Sequence, residues 1–233
     1  MKFLAFNGSP RMKHSNTDRI LQPFLEGARQ AGAETETLYL RRMNIQPCQG
    51  CFSCWMKTPG RCAQRDDMDE VMEKILAADV LVFATPLYDF TMTAYMKALV
   101  ERLLPLAEPR CIRDEQGRTS HPPRYPDKKW NYVLISNCGF PEMEHFEPLL
   151  GSFNRVFGGL DEERWLVVLK SAGPLLSIEE LRPGLAWFFE GMRAAGREMV
   201  EQGRVAAGTK AIINRPLTDM SPEQFREMLN AYV

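Results

Sequence analysis

The chain has 233 residues, of which 45% are hydrophobic and 25% charged, the balance of an ordinary globular domain with a sizeable core. A formal net charge of −1 gives no indication of nucleic acid or an anionic membrane as a partner. No apolar run reaches the length of a membrane span, and the short apolar stretch after Met1 lacks a cleavage site, so we expect a cytoplasmic protein with reduced thiols.

Apolar runs separated by helical periodicity predict five buried strands, at residues 2–6, 35–40, 80–84, 132–136 and 165–169. The predicted helices between them are one that Ser15 or Asn16 caps and that contains Pro23, one that Asp66 or Asp67 caps, and two at 92–104 and 146–157. This alternation predicts an α/β fold with a parallel sheet.

Two segments depart from the alternation. Residues 105–130 hold five prolines and many charges, which predicts an inserted interface or lid. After the fifth strand, Ser177 begins a capping-box pattern for a helix that restarts at Pro183 and runs to Gly203, and Ser221 begins a second capping box. We therefore expect a domain over residues 1–203 and a C-terminal extension over 204–233 with one short helix.

The junction after the first strand is typical of a phosphate site. It joins a strand to a helix N-terminus, where free N–H groups and the helix dipole favour an anion. Ser9, Ser15 and Thr17 add hydroxyls, Asn16 an amide and Arg11 a guanidinium. The loop contains neither a Walker A nor a G-x-G-x-x-G pattern, which disfavours dinucleotide binding there; an ordinary capped turn is the alternative.

Four of the six cysteines lie in one loop, over residues 47–65. Cys48, Cys51, Cys54 and Cys62 form a set of four thiolates, which indicates zinc or an iron–sulfur cluster. Structural zinc usually takes ligands from separated pairs, whereas a run of three Cys at this spacing is typical of ferredoxins, so the pattern favours a [4Fe–4S] cluster. Thiols that bind nothing, or that form a disulfide, remain the alternative.

The loops after the third and fourth strands offer the borders of a ligand site. Pro86, Leu87 and Tyr88 supply backbone groups and an apolar wall, and Gly139 allows close approach of a ligand. Cys138 is a candidate nucleophile, but no base for it is apparent, and a small packing residue is the alternative.

These motifs together resemble those of a known family. The loop FNGSPR…SNT is similar to that of the flavodoxin-like NAD(P)H-dependent FMN reductases, and the four cysteines followed by Asp66, Asp67 and Met68 resemble the iron–sulfur flavoprotein branch. The residues Thr85-Pro86-Leu87-Tyr88 and Lys97…Glu101-Arg102 continue the resemblance, which covers about the first 170 residues.

The resemblance implies a flavodoxin-like fold, with a five-stranded parallel sheet in the order 2-1-3-4-5 and helices on both faces. It implies that the FMN phosphate is bound by Ser9, Arg11, Ser15, Asn16 and Thr17. It also implies that the flavin ring is lined by Pro86, Leu87, Tyr88 and Asp89 after the third strand, and by Asn137, Cys138, Gly139 and Phe140 after the fourth.

The leading hypothesis is an FMN-dependent oxidoreductase or electron-transfer flavoprotein. It passes electrons from NAD(P)H or a protein donor to a small-molecule or protein acceptor, with no side-chain acid or base assigned. The alternatives are a cluster-free NAD(P)H-dependent FMN or quinone reductase, a non-enzymatic electron carrier, and a zinc-stabilised interaction module. We expect a homodimer or homotetramer, with the insertion and the extension covering an otherwise open flavin.

Overall fold

The computed structural model describes residues 1–114 and 117–231. Its elements in chain order are β1 Lys2–Asn7, α1 Asn16–Gln30, β2 Glu34–Tyr39, α2 Ser53–Met56, α3 Met68–Ala77, β3 Val80–Pro86, α4 Ala94–Glu101, β4 Ile112–Arg113, β5 Thr119–Ser120, β6 Asn131–Asn137, α5 Glu147–Val156, β7 Trp165–Lys170, α6 Ala186–Gln202, α7 Ala207–Ile213 and α8 Pro222–Asn230. Residues 115–116 of the predicted insertion and 232–233 of the predicted extension lie outside the described part.

The five long strands form one parallel sheet in the order β2-β1-β3-β6-β7, which confirms the predicted order 2-1-3-4-5. The central strand β3 is buried along its whole length. A parallel strand that helices cover on both faces has no polar side, which is why this segment reads as a continuous apolar run.

Two hydrophobic clusters lie on opposite faces of the sheet. Alternate residues of β3 point to opposite sides, so Val82 belongs to the cluster beneath α1 and α6, whereas Phe83 belongs to the cluster beneath α3, α4 and α5. The sheet is therefore covered on both faces, as the flavodoxin-like fold requires.

Helices α1 and α6 approach each other through two glycines. A Cβ atom at Gly27 would lie 1.9 Å from the carbonyl oxygen of Arg193, and one at Gly196 would lie 2.0 Å from that of Phe24. Only a residue without a side chain fits where two backbones pass this closely. The glycines therefore set the distance between the two helices that cover this face.

The predicted helix starts are partly confirmed. Ser15 caps α1 by accepting a hydrogen bond from the Asp18 N–H, and Ser221 forms a complete capping box with Gln224. The capping box predicted at Ser177 is wrong, because the Ser177 hydroxyl donates to the Pro174 carbonyl oxygen instead.

The segment that follows forms short 3₁₀ turns rather than the start of a long helix, and α6 begins only at Ala186. Pro183 lies inside the predicted helix and has no backbone N–H to donate, so the helical hydrogen-bond ladder is interrupted there although Arg182 before it keeps helical dihedrals. The predicted end of the helix at Gly203 is confirmed, since this glycine terminates α6 with φ 70°.

Two helices, α7 and α8, follow α6, where the sequence predicted one. Ile213, Leu217 and Phe225 from this region are buried in the cluster beneath α1 and α6. The Lys170 ammonium at the end of β7 donates to the Arg215 carbonyl oxygen over 2.6 Å, which ties the segment to the sheet. Whether residues 1–203 and 204–233 are separate units stays a prediction. No helix within 1–114 and 117–231 has the length and apolarity to cross a bilayer.

Candidate functional site

Three loops meet at the carboxyl edge of the sheet. The Leu87 N–H donates to the Asn137 carbonyl oxygen over 2.9 Å, which joins the loops after β3 and β6. The Asn137 side-chain amide donates to the Thr17 hydroxyl over 2.9 Å, which joins β6 to the start of α1. The Thr93 hydroxyl donates to the Gly8 carbonyl oxygen over 2.8 Å. The predicted phosphate loop and both predicted ring loops therefore border one site.

Within the phosphate loop, some polar groups maintain the loop itself. The Ser15 hydroxyl donates to the Met12 carbonyl oxygen over 2.6 Å and accepts from the Asp18 N–H, so its hydrogen is already used within the loop. The buried Ser9 hydroxyl accepts from the Arg11 N–H over 3.3 Å. These bonds fix the path of the chain between β1 and α1.

Other groups of the loop are free to bind a ligand. The first N–H groups of a helix have no acceptor within the helix. In α1 the Asp18 N–H donates to the Ser15 hydroxyl, so the N–H groups of Asn16 and Thr17 remain available to a ligand. Over the described ranges, neither the Asn16 amide nor the Arg11 guanidinium hydrogen-bonds to another side chain or carbonyl. Asn16 is buried and Arg11 is exposed. The loop thus presents unpaired donors at a helix N-terminus, which suits a phosphate.

A buried carboxylate behind this loop was not predicted from the sequence. Asp18 accepts hydrogen bonds from the Asn7 amide over 2.9 Å and from the Tyr39 hydroxyl over 3.0 Å. Burial, helped by this neighbouring carboxylate, raises the pKa of Tyr39 to about 12. The network holds the ends of β1 and β2 against α1. Its only signal in the sequence is an Asp in the first turn of α1, which is common at helix starts.

The loop after β3 forms a tight turn with unusual backbone geometry. Tyr88 and Thr91 exchange backbone hydrogen bonds, and the two residues between them, Asp89 and Phe90, have φ values of 45° and 62°. Residues other than glycine rarely adopt this region, at a cost of about 1–3 kcal/mol each. Tyr88 and Phe90 stay about half exposed, at 49% and 46%. Strained turns of this kind cluster at ligand sites, and this one presents two aromatic rings at the site's border.

The loop after β6 supplies the opposite border. Phe140 is 52% exposed, and a Cβ atom at Gly139 would meet no other atom, which leaves room for a ligand beside the backbone. Cys138 is buried and its thiol donates to the Phe140 carbonyl oxygen over 3.3 Å. Burial raises the pKa of this thiol to about 11, which keeps it protonated and agrees with a packing role rather than a nucleophile.

The cysteine loop follows β2 and is closed at its base. The Gln46 N–H donates to Asp66 over 3.0 Å, and the Gln64 amide donates to the Pro47 carbonyl oxygen over 3.1 Å. Within the loop, Phe52 has φ 52° and starts the short helix α2, which contains Cys54. The two clamps bring the chain near Cys48 back to the chain near Cys62.

The four thiols differ in environment. Cys54 is buried, Cys48 and Cys62 are half-buried and Cys51 is exposed. Burial raises the pKa of the Cys54 thiol, and the other three thiols add to the increase, so each of them lies within electrostatic reach of Cys54. Within residues 1–114 and 117–231, however, no three His, Cys, Asp or Glu side chains are close enough to hold a metal ion as they stand.

A buried ion pair lies under this loop. Arg102, at the end of α4, forms two hydrogen bonds with the Asp66 carboxylate, over 2.7 and 2.9 Å, and a third with the Gln46 carbonyl oxygen over 2.8 Å. Burial opposes the charged forms of both groups. Their mutual hydrogen bonds nevertheless lower the pKa of Asp66 and, with the nearby Cys62 thiol, raise that of Arg102. The sequence indicated Asp66 as a candidate helix cap, and an ion pair between these two residues was not predicted.

The residues of both regions fit the groups that the resemblance implies. For FMN, the fit rests on the unpaired donors of Asn16 and Arg11 and on the open space beside Gly139. For a cluster, it rests on four neighbouring thiols and on Arg102 Nε, a buried donor for which the described residues offer no acceptor. A sulfur anion would satisfy such a donor.

The strand order, the two covered faces and the loops at the carboxyl edge define a flavodoxin-like protein with a candidate phosphate site after its first strand. Residues 1–116 match the family of NADPH-dependent FMN reductases, and through this half the chain belongs to that family. The resemblance stated from the sequence is therefore confirmed.

Two relatives are iron–sulfur flavoproteins. One, from Archaeoglobus fulgidus, is 34% identical over 117 residues, which cover 50% of this chain and 52% of the relative. The other, from Methanosarcina thermophila, is 38% identical over 102 residues, which cover 44% of this chain and 52% of the relative. The chain thus spans about half the length of the curated relatives it matches.

A solved structure confirms the fold over most of the chain. The NAD(P)H:quinone oxidoreductase from Methanothermobacter marburgensis superposes with a TM-score of 0.60, at 20% identity, over 85% of this chain and 98% of its own.

Proposed function

We propose that the protein is an FMN-dependent oxidoreductase that passes electrons from NAD(P)H or a protein donor to a small-molecule or protein acceptor. The observation that carries this proposal is the meeting of three loops at the carboxyl edge of the sheet, with unpaired donors on one loop and exposed aromatic rings on the other two. Bound FMN supplies the redox chemistry there, since it accepts hydride and exchanges one or two electrons.

The chain's own residues bind and orient the cofactor. The phosphate is bound by Arg11, Asn16, the first N–H groups of α1 and the hydroxyls of Ser9 and Thr17, which accept hydrogen bonds in the described residues and keep their own hydrogens for the ligand. Of the five residues assigned to the phosphate, Ser15 contributes by shaping the loop, because its hydroxyl hydrogen is donated to Met12. Pro86, Leu87, Tyr88 and Asp89 border the ring on one side, and Asn137, Cys138, Gly139 and Phe140 border it on the other. The half-exposed rings of Tyr88 and Phe140 exclude water from part of this border.

The cysteine loop would hold a [4Fe–4S] cluster through Cys48, Cys51, Cys54 and Cys62. The support is the set of four neighbouring thiols, the clamps at the base of the loop and the similarity to the iron–sulfur flavoproteins. The base of the loop is held by the two clamps and by the buried ion pair of Arg102 and Asp66, whereas its tip carries the exposed Cys51. The tip is therefore the part that adjusts when the four sulfurs converge.

The nature of the bound flavin tests the first part of the proposal. Denaturing the purified protein should release FMN, because the loop after β1 suits a single terminal phosphate. Release of FAD alone, or failure of the apoprotein to bind added FMN, would overturn the assignment.

Iron analysis after anaerobic reconstitution tests the cluster. The wild-type protein should bind about four iron and four sulfide per chain and turn brown, with broad visible absorbance. Cys51→Ser should lose the iron and keep FMN, because the two sites use different loops. Cys111→Ser is the matched control, since Cys111 is also exposed but lies outside the loop, and it should keep both. A wild-type protein that stays yellow and free of iron refutes the cluster but not the FMN site.

The second candidate is an NAD(P)H-dependent FMN or quinone reductase without a cluster. The matched family favours it, because its description names NADPH and FMN alone. The yellow, iron-free outcome of the same experiment would establish this candidate.

We further propose a homodimer or homotetramer that acts in the cytoplasm. Its support is the group of half-exposed aromatic residues around the site, Tyr88, Phe90 and Phe140, which a second copy would cover. Light scattering should show a multiple of the 26.7 kDa chain mass, and a particle of that single mass at micromolar concentration would refute the oligomer.

A further inference from the structure

The guanidinium of Arg102 has more donors than the fold uses. The Arg102 side chain is only 1% exposed, so water does not serve its N–H groups. Three of its five N–H groups bond to Gln46 and Asp66, as described above. Arg102 Nε, whose single N–H is one of the remaining two, has no hydrogen-bond acceptor in the described part of the chain. A buried donor without an acceptor is costly and therefore rare in native proteins.

The sulfur of Cys62 is a candidate acceptor for this donor. This thiol lies beside the guanidinium and contributes to raising the pKa of Arg102. A neutral thiol is a weak acceptor, whereas a thiolate is a strong one that also carries the opposite charge. The fixed position of Arg102, held by Asp66 and Gln46, prevents the guanidinium from turning away to satisfy the donor elsewhere.

We propose that Arg102 is a positioning residue that donates a charge-assisted hydrogen bond from Nε to the Cys62 sulfur when the cysteine loop holds its cluster, and thereby favours the reduced cluster. This inference rests on the cluster of the proposed function. One-electron reduction adds negative charge to the cluster and its sulfurs, so a cationic donor stabilises the reduced form more than the oxidised form.

A purely structural role is the competing explanation. Arg102 joins Asp66 to Gln46, and its loss would loosen the base of the loop whether or not it contacts sulfur. The midpoint potential of the cluster separates the two explanations, because structural loosening does not depend on the sign of the charge that is removed.

The experiment is a redox titration of the reconstituted protein, followed by the electron paramagnetic resonance signal of the reduced cluster. Arg102→Met should favour the oxidised cluster about tenfold, the ratio expected for one hydrogen bond, which lowers a one-electron midpoint potential by about 59 mV. Arg102→Lys keeps the charge and has three N–H groups, enough for the three existing bonds but none for sulfur, so it should shift the potential in the same direction by a smaller amount.

Two further variants serve as controls. Asp66→Asn breaks the same ion pair but removes a negative charge, so it should raise the midpoint potential while lowering thermal stability as Arg102→Met does. Lys97→Met removes a positive charge from the surface of the same helix, where Lys97 pairs with Glu101, and should leave the potential unchanged.

The outcomes are distinct. Lowered potentials in both Arg102 variants, with a raised one in Asp66→Asn, support the inference. The inference is overturned if the Arg102 variants keep the wild-type midpoint potential, or if their potentials change in the same direction as that of Asp66→Asn. Either result leaves the proposal of a cluster intact. If Arg102→Met fails to fold, Arg102→Lys decides. A wild-type protein that takes up no iron refutes both the cluster and this inference.

Discussion

Removing single donors from the loop after β1 should weaken FMN binding by a magnitude that follows from their burial. Arg11 is exposed and has no side-chain partner in the described residues, so Arg11→Ala removes no contact of the fold itself. A hydrogen bond to a charged group contributes about 1.5–3 kcal/mol, and solvent screening places an exposed arginine at the low end, which corresponds to a loss of about tenfold in affinity. Asn16 is 6% exposed, so Asn16→Ala should cost between about tenfold and a hundredfold.

The measurement is a titration of apoprotein into FMN, followed by the quenching of flavin fluorescence. Lys13→Ala is the matched control, because Lys13 is an exposed cation two residues from Arg11 that is not assigned to the phosphate. Arg11→Ala should also reduce the salt dependence of binding, since it removes a charge–charge contact. Unchanged affinity in both variants, or an equal loss in the Lys13 control, would show that the phosphate lies elsewhere.

Three further outcomes follow from the packing and the pKa shifts. Gly196→Ala, whose Cβ would lie 2.0 Å from the Phe24 carbonyl oxygen, should lower the free energy of unfolding by about 1–3 kcal/mol in a urea titration, whereas Gly208→Ala, which meets open space, should not. Cys138, with a pKa of about 11, should resist alkylation of the native protein at neutral pH and react only as the pH approaches that value; rapid labelling at neutral pH would contradict its burial. Burial lowers the pKa of Lys170 to about 7 from 10.5, so between these pH values the unfolded chain holds a proton that the folded chain lacks. The free energy of unfolding should therefore rise with pH across this window. Lys170→Met should lack the rise when urea midpoints are compared at about pH 7 and about pH 9.5.

The strands were predictable because burial on both faces leaves a simple trace in the sequence. Residues 80–84 form an apolar run with no polar partner, and the structure places them in the fully buried β3. The order of the strands came from the resemblance, since periodicity alone does not say which strands are neighbours. Ser15 and Ser221 were identified as caps because capping depends on only four consecutive residues.

Features that depend on distant contacts, or on a choice between two local partners, could not be predicted from the sequence. The residues around Ser177 do not indicate that its hydroxyl donates to the Pro174 carbonyl oxygen instead of capping a helix. The ion pair of Asp66 and Arg102 joins residues 36 positions apart, and Thr93 binds the Gly8 carbonyl oxygen across 85 positions. The hairpin of β4 and β5 pairs two-residue strands in a segment that the prolines indicated only as an insertion. Residues that hold a site in place leave weaker signals than those that border it.

The late position of α8 in the chain affects how the protein folds during its synthesis. Phe225 is fully buried in the cluster that also contains Phe24 and Val82, from the first helix and the central strand. A ribosome adds about 5–20 residues per second, so the apolar face beneath α1 stays without this part of its cover for many seconds after α1 has emerged. Nascent chains that stop between α6 and α8 should therefore bind holdase chaperones. The face beneath α3, α4 and α5 is complete once α5 and β7 have left the exit tunnel. The two faces of the same sheet therefore expose apolar surface to chaperones for different lengths of time.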